Sequence, residues 1–414
     1  MRLTIYPSKA KGVINAPPSK SIAHRALICG ALSDGCRILN CGESQDVAAT
    51  LRCLSEMGAD VKKVGNEIHV SGLKPEALPE NAVLDCGESA STLRFLLPLC
   101  LLAGRKITLV GHSRLMERPM TVYKDLCLQH GCIFEQKENS ITVCGQLTCG
   151  EYSIPGNVSS QFVTGLLFLM VINKNIKHIE LIGERVSKNY IDITKKVMER
   201  FGVVVADKNG LISVNVQDKD VGSYYLEGDY SQAANFMVLS AINGYISVKN
   251  LCLNSSQGDK VVCDILTKMG ANVEFVDNVC NVSGRVGVSY FEIDLENCID
   301  LGPILFVCAA FNNGTTKFIN TKRLTIKESD RLNAMKENLI KAGICVEVSD
   351  NSVVIVGNPN ISGDFAFETF KDHRIAMAMS VFAVLNKGTS IIKDVECINK
   401  SYPNFVNDLF SLKI

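Results

Sequence analysis

PPSKSIAHRALICGAL, residues 17–32, opens on two prolines and a serine and runs into an apolar stretch that reads as a capped helix. The hydroxyl or acid at its head returns along the chain. Ser21, Ser91, Ser160, Ser231, Asp300 and Asp372 lie 70, 69, 71, 69 and 72 residues apart. A second series keeps the same step: helix-like segments end at Gly58, Gly131, Gly202, Gly270 and Gly343, each followed by a strand-like run such as ADVKKV, NVEFV or ICVEV. A fixed period marks one supersecondary unit written repeatedly. Here it predicts six modules, and residues that differ between modules at one offset become candidates for function.

Each module reads as mixed α/β. Helices are expected over 19–32, 44–58, 89–102, 190–202 and 329–343, each with a Ser, Asp or Asn able to accept from the free N–H groups of its first turn. Between them, EIHVSG, ITVCG, LISVNV, CNVSG and VVIVG alternate as half-buried strands do. The N-terminal MRLTIYPSKAKG alternates like an edge strand. More than one strand run per module and few long buried β runs weigh against a doubly wound nucleotide fold. The sequence contains neither G-x-G-x-x-G nor G-x-x-x-x-G-K-[ST].

Composition narrows the class. At 414 residues and 47% hydrophobic content the chain can bury sizeable cores, and two domains are expected. Lys plus Arg equals Asp plus Glu at 43 each, so no overall field favours nucleic acid or membrane. The longest apolar runs, beginning at Phe95 and Leu166, fall short of the roughly 18 residues of a membrane span. The N-terminus lacks a signal-peptide core, and a cytoplasmic protein is expected. Seventeen cysteines, none spaced C-x-x-C, read as reduced core thiols rather than metal ligands.

The polar residues at the landmarks carry the chemistry. Ser19, Lys20, Ser21 and Arg25 put hydroxyls and cations at a helix N-terminus, a geometry that favours anions; a capped helix with solvated cations reads equally well in isolation. Ser159, Ser160 and Gln161 can be a cap alone. Lys327, Glu328, Asp330 and Arg331 resemble a solvated helix start, with Glu328 and Arg331 on one face. Taken together, Lys20, Arg25, Arg118, Lys327, Arg331, Arg374 and Lys400 fall near equivalent ends of the repeats, and their convergence would hold polyanions. Asp300 and Glu328 are then the natural proton carriers, since histidine is scarce and no Ser-His-Asp pattern is present.

PPSKSIAHRAL, ASTLRF, ERPM, VSSQF, SKNYIDIT, EGDYSQAA, KESDRL, DHRIAMAM and NKSYPNF, in this order from Pro17 to Phe405, resemble the signature segments of the 5-enolpyruvylshikimate-3-phosphate synthase family. The resemblance implies the two-domain α/β (α+β) enolpyruvyl transferase fold, an inside-out α/β barrel of βαβαββ units with three per domain. Residues 1–17 with 230–414 would form one domain and 18–229 the other, with the active site in the cleft between them. The implied reaction moves the carboxyvinyl group of phosphoenolpyruvate to the 5-hydroxyl of shikimate 3-phosphate through a tetrahedral adduct, on the way to chorismate and aromatic amino acids. No cofactor and no metal are implied, and a monomer is expected. Carried over by motif, Lys20, Ser21, Arg25, Ser159, Ser160, Gln161, Ser187, Asp300 and Lys327 would bind shikimate 3-phosphate. Lys20, Ala90, Arg118, Gln161, Arg331, Arg374 and Lys400 would bind phosphoenolpyruvate. Asp300, Glu328 and Lys20 would carry the chemistry.

Three positions depart from the family pattern. Ala90 stands where the family commonly has Gly, Glu88 where it has Asn, and Thr325 where many relatives have Arg. The added methyl at Ala90 predicts reduced glyphosate sensitivity, because that inhibitor is longer than phosphoenolpyruvate at this end. Glu88 can cap the helix or pair with a cation. Two rival readings are the sibling transferase acting on UDP-N-acetylglucosamine and a toroidal repeat scaffold. The first typically has a Cys before its R-P pair, which GHSRLMERP lacks, and the second would repeat a basic inner face in every copy.

Overall fold

The computed structural model describes residues 1–148, 150–184, 188–217 and 219–413. The chain forms two compact units, Pro18–Leu226 and Met1–Pro17 with Glu227–Ile414. Each has its own continuous apolar core.

In Pro18–Leu226 the inner helices are Lys20–Leu32, Ala90–Cys100 and Ser160–Ile172. They are buried on almost every side, as helices without a polar stripe must be. Outer helices Gln45–Glu56, Thr121–Gln129 and Lys188–Arg200 carry one apolar face each. Three four-stranded sheets complete the unit. In two of them a parallel pair flanks the inner helix and an antiparallel hairpin follows, as with Ala82–Asp85, Ile107–Val110, Ser140–Cys144 and Ile133–Lys137. The unit closes on itself: Ser223–Tyr225, at its far end, pairs in parallel with Cys36–Leu39 of its first module.

The second unit repeats the plan around Tyr230–Asn243, Gly302–Ala310 and His373–Leu385, which pack against one another. Its closure uses the chain start. Ala10–Asn15 pairs in parallel with Gly244–Lys249, and Arg2–Ile5 pairs antiparallel with Ser390–Lys393 at the edge of a three-stranded sheet. The sixth module therefore lacks a hairpin of its own, and the N-terminal strand stands in for one. The N-terminal stretch expected as one edge strand is two, Arg2–Ile5 and Ala10–Asn15, in different sheets, while the other expected helices and strands fall within about two residues of their limits.

The repeat period is set by chain reversals and caps. Gly58, Gly131, Gly202, Gly270 and Gly343 all turn the chain in the left-handed region, with φ between 68° and 103°. Caps sit slightly before the landmarks: Ser89 accepts from the Thr92 N–H, Ser159 from Gln161 and Asp229 from Gln232. Ser19 makes no such bond.

One helix contact exposes the fitting. Pro98, inside Ala90–Cys100, removes the N–H that the Arg94 carbonyl would accept from, and the Tyr123 hydroxyl supplies a donor at 2.7 Å. Gly165 of the neighbouring helix leaves room for it, since a Cβ there would overlap both the Arg94 oxygen and the Tyr123 hydroxyl. Among the described residues every cysteine is a free thiol, most of them buried, and no helix is long and apolar enough to cross a membrane.

Candidate active site

In Pro18–Leu226 the polar residues gather where the inner helices begin. Lys20 is the first residue of its helix, a position where the helix dipole opposes a cation. Asp46, in the first turn of the neighbouring outer helix, compensates with an ion pair at 2.7 Å. Arg25 is buried and already bonded: Nε donates to Thr194 Oγ1 at 2.7 Å, Nη1 to the Ser21 carbonyl at 2.6 Å and Nη2 to the Tyr190 carbonyl at 3.2 Å. Its guanidinium lies 5.0 Å from the centre of the Phe95 ring, and burial pulls its pKa down to about 10. Three of its five N–H groups are thus committed to the fold.

Gln161 is held from both ends of its amide. Arg94 Nη1 donates to its Oε1 at 2.8 Å, and its Nε2 donates to Ser91 Oγ at 3.0 Å. Arg94 is itself fixed by the Pro119 carbonyl at 2.8 Å and by the Phe162 ring at 4.7 Å. Behind this row runs a buried hydroxyl chain, His24 Nδ1 to Thr50 Oγ1 to Thr92 Oγ1 to Ser89 Oγ, with every link at 2.7 Å. Burial lowers the His24 pKa to about 3, so the ring is neutral. Ala90 is buried next to Ser89, and Glu88 pairs with His112 at 2.9 Å instead of capping the helix.

The second cluster belongs to the unit containing both termini. Asp300, unlike the other landmarks, lies in a short 3-10 turn before Gly302–Ala310, where Pro303 needs no cap because it has no N–H. Its carboxylate is released to three cations: Lys327 at 3.2 Å, Arg331 at 2.8 Å and Arg374 at 3.3 Å. Arg331, 1% exposed in its side chain, also reaches Glu328 at 2.6 Å and Asp372 at 2.8 Å. Asp372 caps its own helix through the Arg374 N–H at 2.8 Å and accepts from Ser329 Oγ at 3.1 Å. Phe370 and Lys371 just before it both adopt left-handed backbone, φ 52° and 55°. Two bulky residues there store strain of order 1 kcal/mol each, of the kind found at functional sites. Lys400 Nζ lies 4.0 Å from the other Glu328 oxygen. Asp259, buried and bonded to the Ser231 hydroxyl, completes the group.

Four acids and four bases thus balance in a small volume. Burial works to raise the Asp300 pKa, yet Arg374, Lys327 and Arg331 outweigh it and hold the carboxyl well below its usual range. Burial, together with the neighbouring Arg331 and Arg323, pulls Lys327 down to about 8 against the attraction of Asp300. Burial and then Asp300 push Asp259 up to about 7, opposed by Arg374 and the Ser231 hydrogen bond. Such a lattice can exchange partners: an arriving anion takes the cations, and the carboxylates they release become better proton acceptors.

The structure brings Asp300, Lys327, Glu328, Arg331, Arg374 and Lys400 together in one unit. In the other, Ala90, Ser159, Ser160 and Gln161 stand at or beside adjoining helix starts, as do Lys20 and Ser21 at the head of theirs. Arg118 is half-buried just after Ser113–Met116. Ser187 lies outside the described residues. Asp46, Arg94, Asp259 and the ion-pairing role of Asp372 were not singled out from sequence. Their partners lie 26 to 67 residues away in the chain, beyond the reach of helical spacing.

The family model for EPSP synthase (3-phosphoshikimate 1-carboxyvinyltransferase) matches residues 6–409. The chain belongs to the EPSP synthase family. Among family relatives, the 3-phosphoshikimate 1-carboxyvinyltransferase of Clostridium beijerinckii is 39% identical over 422 residues, covering 99% of this chain and 97% of that protein. That of Clostridium kluyveri is 39% identical over 420 residues, with the same coverage of both. The EPSP synthase of Acinetobacter baumannii superposes with a TM-score of 0.80 at 24% identity, over 100% of this chain and 98% of that one. The enolpyruvyl transferase NikO of Streptomyces tendae gives 0.76 at 15% identity, over 99% and 97%. These two likenesses speak for the fold alone.

Proposed function

We propose that this chain transfers the carboxyvinyl group of phosphoenolpyruvate to the 5-hydroxyl of shikimate 3-phosphate and releases phosphate. The observation that carries the reading is the lattice around Arg331, in which one guanidinium holds Asp300 and Glu328, each also beside a lysine. The task requires two anions in one site, and several fixed cations must offset their repulsion. Arg118, Arg331, Arg374 and Lys400 take phosphoenolpyruvate. Lys327, Ser159, Ser160 and Gln161 take shikimate 3-phosphate with Ser21, Arg25 and Ser187, and Lys20 serves both.

The 5-hydroxyl gives its proton to Asp300 as its oxygen bonds to the second carbon of phosphoenolpyruvate, and Glu328 protonates the methylene carbon. The methyl group of the tetrahedral adduct then returns a proton to Glu328 as the bond from carbon to the phosphate oxygen breaks, the proton on Asp300 passes to the departing phosphate, and Lys20 stabilises the phosphate charge. Asp300 is a weak base while three cations hold it. Substrate phosphate and carboxylate that recruit Lys327 and Arg374 loosen that hold and raise its basicity at the moment of need. Asp46 fixes Lys20 through the 2.7 Å ion pair.

Phosphate release with both substrates, each omitted in turn, tests the reaction. Release without shikimate 3-phosphate, or with UDP-N-acetylglucosamine in its place, refutes the assignment. An unchanged pH profile in Glu328→Gln removes Glu328 from its role. The buried methyl of Ala90 supports reduced glyphosate sensitivity.

A further inference from the structure

A cavity of about 750 Å³ opens in the terminal-bearing unit at the far ends of its inner helices, where Tyr230–Asn243, Gly302–Ala310 and His373–Leu385 finish. Asp300, Asp372 and Arg374 stand at the opposite ends. The 13 residues of His373–Leu385 separate the two places by roughly 20 Å.

Four cations line the cavity: Lys9, Lys11, Arg285 and Lys387. No carboxylate lies among the described residues that line it. Among the described residues the side chains of Lys9, Lys11 and Arg285 make no ion pair or hydrogen bond, and that of Lys387 reaches only the Asn360 amide oxygen at 2.9 Å. This is the reverse of the Asp300 cluster, where each cation has an acid.

Cations near helix C-termini commonly serve the last carbonyls. Here backbone N–H groups already do so: Val286 donates to Ala241 at 3.0 Å, Asn358 to Ala310 at 2.8 Å and Ser8 to Val384 at 3.2 Å. None of the four side chains donates to a helix carbonyl. Like charges around one concavity raise its potential and concentrate anions. The walls add Phe311, Val384 and Leu385, all buried and apolar, and the volume is that of a small-molecule site.

We propose that this cavity binds a small organic anion. A phosphate or carboxylate head sits among Lys9, Lys11, Arg285 and Lys387, and an apolar body lies against Phe311, Val384 and Leu385.

Phenyl phosphate and inorganic phosphate are titrated calorimetrically into the full chain and into the variant Lys9→Gln, Lys11→Gln, Arg285→Gln, Lys387→Gln. The expected result is one phenyl phosphate fewer bound by the variant, with kcat and KM for carboxyvinyl transfer unchanged. At the lost site phenyl phosphate binds at least about tenfold tighter than inorganic phosphate, because only it uses the apolar wall. Equal stoichiometry in both proteins overturns the site, and equal affinity for the two probes overturns the organic body. If the fourfold variant fails to fold, Arg285→Gln alone carries the test, with about tenfold weaker phenyl phosphate binding expected and no weakening overturning the site.

Discussion

Replacing Arg331 by methionine removes one buried guanidinium from three carboxylates. Arg331 Nε meets Asp372 at 2.8 Å, Nη1 meets Asp300 at 2.8 Å and Nη2 meets Glu328 at 2.6 Å. Asp300 keeps Lys327 and Arg374, so its loss is partial. Asp372 is wholly buried and keeps Ser329 Oγ at 3.1 Å and the Arg374 N–H at 2.8 Å, with the His373 ring nitrogen 3.9 Å away. Glu328 is left with Lys400 at 4.0 Å. Breaking a buried pair from one side costs about 3–5 kcal/mol, and this geometry points to about 4. For a unit of about two hundred residues that lowers Tm by roughly 8–16 °C.

The sign with pH follows from Asp300. Its folded pKa is depressed, so its stabilising contribution is present above the ordinary carboxylate pKa, near 3.9, and is lost as acid brings the pH down through the folded value. In Arg331→Met Asp300 has lost one of the cations that hold its pKa down and has less to lose in acid, so the deficit shrinks from pH 5 to pH 3. Thermal and urea unfolding followed by circular dichroism at both pH values measure it. A deficit below about 1 kcal/mol, or one constant over that range, refutes the account.

Lys327, held near 8, is charged below that pH and neutral above it, so carboxyvinyl transfer is expected to fall as pH rises through about 8. Lys327→Arg moves that limb upward in a kcat/KM profile. Tyr123→Phe strands the Arg94 carbonyl that Pro98 left without its helical donor and costs about 1–3 kcal/mol. In the Pro98→Ala background the restored N–H takes over and the cost falls, so additivity in this double-mutant cycle would sink the explanation. Ala90→Gly removes one methyl from a buried position, and glyphosate inhibition constants should drop about tenfold or more.

Much of this architecture is legible in one dimension because the repeat is. Caps and left-handed glycines act within four residues, so Ser89, Ser159 and Asp229 announce helix starts, and Gly58 to Gly343 announce their ends. What local pattern does not reveal is which polar residue serves the fold. Arg25 looks like a free anion-binder yet bonds Thr194 and Tyr190, 169 and 165 residues away. Asp372 looks like a cap, and is one, but also anchors Arg331. Asp259 lies in QGDK with no pattern to mark it, and only folding brings it to Ser231. The missing sixth hairpin has the same cause: its substitute is the first strand of the chain.

That closure dictates a timetable for synthesis. The unit Pro18–Leu226 has its last strand, Ser223–Tyr225, at its own trailing end and can finish as soon as that end leaves the ribosome. The opening strands cannot. Ala10 waits for Gly244, and Arg2 waits for Lys393. At about 5–20 residues per second the first delay is roughly 12–47 s and the second roughly 20–78 s. Throughout, the exposed edge of MRLTIYPSKAKG must avoid foreign partners, a task suited to its lysines and its proline. The later-finishing unit is the one that contains Asp300, Glu328 and Arg331, so the nascent chain stays inert until its own beginning and end have met.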